Sequence, residues 1–140
     1  MPTRWAHQRI RMCKVFINGK PQVVQSSAQL RVAIESARTA QFAEVMLIVG
    51  DLPEHNFTVM LNDDKAALFY SKNIDEHSFT SRNRSLPEDT DAEVEFLLSN
   101  GQMDMYPSSW VVPADAGIDA ICHFFDRKQL PENVAWRQEF

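Results

Sequence analysis

The segment Glu93-Val94-Glu95-Phe96-Leu97-Leu98, followed by Asn100-Gly101 and Met103-Asp104-Met105-Tyr106, constrains the fold more than any other stretch of this chain. Alternating apolar and polar residues on both sides of an Asn-Gly pair specify an antiparallel hairpin, because both turn residues tolerate the positive φ that a tight connection requires. With Asn100-Gly101 as a two-residue turn, Ser99 pairs with Gln102, Leu98 with Met103 and Phe96 with Met105. Leu98, Met103, Phe96 and Met105 then share one face, which is expected to join the core. The same pairing sends Glu93, Glu95, Asp104 and Tyr106 to the opposite face with Leu97, so three carboxylates and an aromatic ring share one sheet surface. Such a face is either simply solvated or a site for a basic partner. Tyr106 adds weight to the second reading because tyrosine is enriched at binding hot spots.

The rest of the chain supplies elements of both periods. Met12 to Ile17 reads as a first strand, and Asn18-Gly19 as a turn. Ser26-Ser27 offer a helix cap, and Leu30, Ala33, Ile34 and Ala37 fall at i, i+3, i+4 and i+7, which predicts a helix over about 27–41. Val45 to Val49 is a short apolar run suited to a strand buried on both faces. Phe57 to Leu61 and Ala67 to Tyr70 follow as strands separated by Asn62-Asp63-Asp64. Residues 72–91 are rich in Ser, Asn, Asp, Glu and Arg, contain Pro87, and read as a long connection of the kind that often carries contacts.

Pro113 is placed for the first turn of a second helix, and Asp115 for its positive end. Ile118, Ile121, Cys122 and Phe125 give the stripe, and Arg127-Lys128 suit the last turn before Pro131, so this helix spans about 114–127. Val134-Ala135-Trp136 is an apolar segment that can return to the sheet. Two helices with six or seven strands, several joined by hairpin-length turns, predict an α+β domain with a mainly antiparallel sheet and two principal helices packed on one side. A chain of 140 residues fits one domain, 1–140, with the patternless basic residues 1–10 as a loosely held terminus.

Charge is distributed unevenly. Residues 1–43 carry seven Lys/Arg against one acid and residues 44–140 seven against eighteen, so the two parts differ as +6 against −11 in a net charge of −5. An acidic surface repels nucleic acid and anionic membranes and attracts basic proteins, although acidity also serves solubility alone. There is no apolar run long enough to span a membrane and no apolar signal region, so a cytoplasmic location is expected. Cys13 and Cys122 sit in apolar segments outside any CxxC pair and are expected as buried free thiols.

Catalytic constellations are missing from the sequence. None of His7, His55, His77 and His123 has Glu two positions on, and no CxxC is present to complete a zinc-deaminase site. The glycines at 19, 50, 101 and 117 form neither a phosphate-binding loop nor a dinucleotide fingerprint, and no G-x-S-x-G elbow occurs. Cys122 and His123 are helical neighbours that point about 100° apart, which argues against a dyad. Glu93 with Glu95 is the remaining acid–base option, without a substrate pocket to serve. No catalytic residue, metal or cofactor is therefore expected. Trp110, Phe124, Phe125 and Trp136 read as core residues.

Tyr106-Pro107-Ser108-Ser109-Trp110-Val111-Val112-Pro113, then Asp119 to Phe125 and Leu130 to Trp136, resemble an immunity family that guards bacteria against polymorphic toxins, notably deaminase toxins. The shared features are Val112-Pro113 entering a helix, Ala120 and Phe124-Phe125 within it, and Leu130-Pro131 before a near-terminal Trp136. Looser similarity extends upstream through Gly50-Asp51 and Asn100-Gly101. The chain departs from the pattern at Arg127-Lys128-Gln129, where many relatives have Thr-Gly. These matches are structural and carry no interface residues across. The resemblance implies an inhibitor that occludes a cognate, nucleic-acid-targeting toxin, and an acidic protein complements a basic one. Candidate toxin-binding residues, chosen by charge and exposure, are Asp75, Glu76, Glu88, Asp89, Asp91, Glu93, Glu95, Asp104 and Tyr106. The competing readings are a small α+β enzyme or ligand-binding domain, and a structural adaptor subunit.

Overall fold

The computed structural model describes residues 13–50, 55–72, 77–87 and 90–139. Met12, residues 1–10, Asp51, Asp75, Glu76, Glu88 and Asp89 lie outside them. The elements are β1 (Cys13–Ile17), β2 (Lys20–Gln22), α1 (Ser27–Ala37), β3 (Phe42–Val49), β4 (His55–Asn62), β5 (Lys65–Lys72) and β6 (His77–Arg82), then β7 (Glu93–Leu97) and β8 (Met103–Pro107). A short 3-10 turn (Ser108–Trp110), β9 (Val112–Pro113), α2 (Ala114–Arg127) and β10 (Ala135–Gln138) complete them.

The main sheet is antiparallel throughout, in the order β10-β6-β5-β4-β3-β1-β2, with β9 beside β5. Alternation along its strands sorts the faces. Val45, Leu47, Phe57, Val59, Leu61, Ala66 and Leu68 point to one side, where they join Leu30 and Ile34 of α1 and Ile118, Ile121 and Phe124 of α2 in the principal core. Each large apolar side chain buried there contributes about 1.5–3 kcal/mol. Both helices therefore cover one face, as the α+β reading expects, and Arg31 ties them together through Asp119 at 2.6 Å. Glu44, Met60 and Ala67 point to the other side, where the β7–β8 hairpin packs as a third layer through Phe96.

Helix α2 occupies the predicted residues, with Asp115 in its first turn and Arg127 in its last. Pro113 stands at the cap position and not inside the first turn, because its carbonyl-side backbone is still extended where β9 pairs with Lys65-Ala66. Lys128 closes the helix in the left-handed conformation at φ 57°, donating its N–H to Phe124 O and its ammonium to Phe125 O. Helix α1 ends at Ala37, short of the expected 41, as Thr39 and Ala40 tighten into turns that feed β3. The strands β3, β4 and β5 are each eight residues long, longer than the apolar runs alone suggest.

A strand also occupies part of what the sequence presents as a long loop. Only Phe79 in His77–Arg82 is a large apolar residue, yet β6 pairs with β5 on one side and β10 on the other. Its polar residues are used structurally. Ser81 is fully buried, accepts the N–H of Leu68 at 3.0 Å and donates to Trp110 O at 2.6 Å, filling the place where β5 passes from pairing with β6 to pairing with β9. β10 confirms that the segment around Trp136 returns to the sheet. Trp136 is half-buried, donates its indole N–H to Pro131 O at 3.0 Å and meets Phe57 edge-on at 5.7 Å.

Candidate functional site

The two Asn-Gly pairs of this chain make different turns. Asn18 and Gly19 both have positive φ, at 52° and 79°, and Ile17 pairs with Lys20 across a two-residue turn. At Asn100-Gly101 only the glycine is left-handed, at φ 91°. Gly101 donates to Leu98 O and Leu98 donates to Gln102 O, so the loop holds three residues and the strands are displaced by one position. Leu97 pairs with Met103, Phe96 with Asp104, Glu95 with Met105 and Val94 with Tyr106.

This displacement corrects the sequence reading of the hairpin. Val94, Phe96, Leu98 and Tyr106 pack toward the main sheet, and Asp104 shares their side. Met103 and Met105, expected in the core, are 44% and 49% exposed and share the outward face with Glu93, Glu95 and Leu97. The physical reason is the content of the two faces. The observed register sets Tyr106 against Phe69, Phe96 and Trp110 with ring centroids 5.0, 5.7 and 5.8 Å away, whereas the alternative would bury two methionines and expose the tyrosine.

Tyr106 is thus a packing residue, and Asp104 its partner. The Tyr106 hydroxyl donates to Asp104 at 2.9 Å, and Gln102 donates to the other carboxylate oxygen at 2.7 Å. Burial first, and then this hydrogen bond, push the Tyr106 hydroxyl well above its ordinary range. The carboxylates of Glu93 and Glu95 are exposed and have no hydrogen-bond or ion-pair partner among the described residues. Asp91, also exposed, precedes β7. The outward hairpin surface is therefore two free carboxylates beside two accessible thioethers. The sequence pattern contains Met103 and Met105 but assigns them inward, and only the turn type distinguishes the two registers.

The hairpin lies across the main sheet. Asn62 at the end of β4 donates to Glu95 O at 2.9 Å, Ser99 N–H donates to the Glu44 carboxylate on β3 at 3.5 Å, and the Ser99 side chain lies against Gly19 in the β1–β2 turn. Beyond β8 the pairing registers align Phe16, Met46, Thr58 and Phe69 in one row, and Lys14, Ile48, Asn56 and Ser71 in the next. Lys14 is exposed and the other seven, Phe16, Met46 and Ile48 among them, are half-buried.

A concavity of about 740 Å³ runs between α1 and α2, lined by Arg31, Val32, Glu35, Asp119, Cys122, His123 and Asp126 among others. Two polar contacts lie within it. Arg31 is held by Asp119, and the Cys122 thiol faces Ser27 O at 3.8 Å, its acidity reduced by burial. Cys13 and Cys122 are both free. Among the described residues no group of three His, Cys, Asp or Glu side chains is arranged to hold a metal ion, and no helix is long and apolar enough to cross a membrane.

A family model described as immunity protein Imm1 matches residues 18–138, nearly the whole chain. No curated protein matches it.

Proposed function

The chain belongs to the Imm1 family of immunity proteins, and from that premise we propose that it neutralises its cognate toxin by covering the toxin's substrate cleft with the outward face of the β7–β8 hairpin. One observation carries this assignment of the face. The carboxylates of Glu93 and Glu95, without a partner among the described residues, stand beside Met103 and Met105 on a hairpin anchored by Phe96. Carboxylates steer a basic surface into place, and exposed methionines adapt to an apolar contour at little cost in fit.

A toxin that acts on nucleic acid needs a basic cleft, so the complementary inhibitor is acidic. The eighteen acids among residues 44–140 support a nucleic-acid-targeting toxin of this kind, a deaminase in particular by the family resemblance. In this reading the chain acts by occlusion in the cytoplasm, contributes no catalysis and makes no direct contact with nucleic acid. Asp91, exposed just before β7, adds to this steering charge, and Asp75, Glu76, Glu88 and Asp89 remain candidates by their charge alone. Asp104 supports the face from beneath by holding Tyr106.

Mixing the purified chain with the toxin domain encoded beside it tests the proposal. The expected result is a stoichiometric complex in which deamination of single- or double-stranded substrate stops. A toxin that remains fully active in the presence of excess chain would overturn it.

A further inference from the structure

The outer edge of β8 differs from those of β7 and β2. In the hairpin, Leu98 N–H to Gln102 O and Ser108 N–H to Ala92 O fix which pairs exchange hydrogen bonds. By alternation, Phe96 with Asp104 and Val94 with Tyr106 bond across the hairpin, so the N–H and C=O groups of Met103 and Met105 point away from β7. They have no partner among the described residues. The outer edge of β7 is engaged by Asn62, which donates to Glu95 O. The outer edge of β2 carries Pro21, opposite Phe16 in a position whose amide faces outward, so the donor is missing there. No such device blocks Met103 and Met105.

Beside this edge lies the part of the main sheet that carries half-buried Phe16, Met46, Ile48 and Thr58 in adjacent rows. A strand added to β8 would lie over those rows, completing a layer that the two-stranded hairpin covers only in part. Its alternate side chains would face the sheet beside Tyr106 and Asp104. The others would face outward beside Met103 and Met105, on the surface that carries Glu93 and Glu95. The chemistry of the occupant follows from these two environments.

We propose that the edge of β8 takes up an extended segment of the toxin, alternating apolar and basic residues, as a third strand of the hairpin sheet. This rests on the reading of the chain as a toxin-binding immunity protein and specifies how it grips. Main-chain hydrogen bonds to Met103 and Met105 supply register, and the apolar rows and free carboxylates select the side chains.

The experiment uses the catalytically inactivated toxin domain encoded beside the chain, with binding measured by calorimetry and amide exchange followed in the complex. Met105→Pro removes an outward N–H that the hairpin itself does not use, and Met105→Ala removes the side chain while keeping that N–H. The proposal expects Met105→Pro to weaken binding roughly tenfold or more, Met105→Ala to weaken it clearly less, and the Met103 and Met105 amides of the unmodified chain to gain protection on binding. The exchange measurement decides the matter even if the proline variant fails to fold. Binding by the unmodified chain without protection at Met103 and Met105 would overturn the added strand and leave the immunity reading intact. Protection of those amides in the chain alone at high concentration, with self-association, would show that a second copy pairs there and would also overturn it. No binding by the unmodified chain would overturn the immunity reading itself, and the added strand with it.

Discussion

Tyr106 stacks on Trp110 with ring centroids 5.8 Å apart and planes within 15° of parallel, joining the hairpin to the 3-10 turn that leads into β9. Arg82 lies over the far ring at 4.9 Å from its centroid. This cluster holds the third layer on the main sheet, so Tyr106→Ala is expected to cost about 3 kcal/mol, read as a lower denaturant midpoint.

The same residue gives the protein an alkaline limit. In the unfolded chain the phenol loses its proton from its ordinary value of 10.0 upward, whereas burial and Asp104 keep it protonated in the fold. The raised folded value means that this contribution is complete below about pH 10 and is lost as pH rises above it. Tyr70 is raised by burial in the same direction. Tyr106→Phe should therefore shrink, without abolishing, the fall in melting temperature between pH 9 and 11. An identical fall in the variant would show that Tyr106 ionises freely.

Gly117 provides a packing test. A Cβ placed there would lie 2.8 Å from the Cβ of Ala66 and 3.4 Å from side-chain atoms of Leu68 and Val59. In an ordinary helix interior Gly→Ala stabilises by up to ~1 kcal/mol. Here the closest contact cannot move easily, because Ala66 is short and fully buried in the sheet. Gly117→Ala should destabilise by about 1–3 kcal/mol in thermal or chemical denaturation.

Trp136 anchors β10 through its bond to Pro131 O and its edge contact with Phe57. Because the ring is half-buried, Trp136→Ala is expected to cost about 3 kcal/mol, the lower end of the range for such truncations. An unchanged denaturation midpoint would show that β10 is held by its backbone pairing with β6 alone.

What the sequence made legible follows from how locally each feature is determined. Helix α2 carries its stripe, its first-turn acid and its last-turn base within fourteen residues, and it forms where these place it. β6 was hidden because its stability comes from neighbours. Its sparse apolar content would not mark a strand, and buried Ser81 makes sense only once Leu68 and Trp110 lie beside it. The hairpin shows a finer limit. Asn-Gly gives a turn at both 18–19 and 100–101, but the choice between two and three loop residues was made by Phe96 and Tyr106 packing on Phe69 and Trp110. That choice moved Asp104 and Tyr106 inward and brought Met103 and Met105 out, while Glu93 and Glu95 stayed on the outward side in either register.

Association kinetics test the central claim most directly. The double variant Glu93→Lys/Glu95→Lys should keep its fold, because both side chains are exposed and free of partners among the described residues, with circular dichroism as the control. In stopped-flow mixing with the inactivated toxin domain across a salt series, the account predicts an association rate roughly tenfold slower at low salt and a flatter salt dependence. An association rate and salt slope equal to those of the unmodified chain would contradict the assignment of this hairpin face as the surface that meets the toxin.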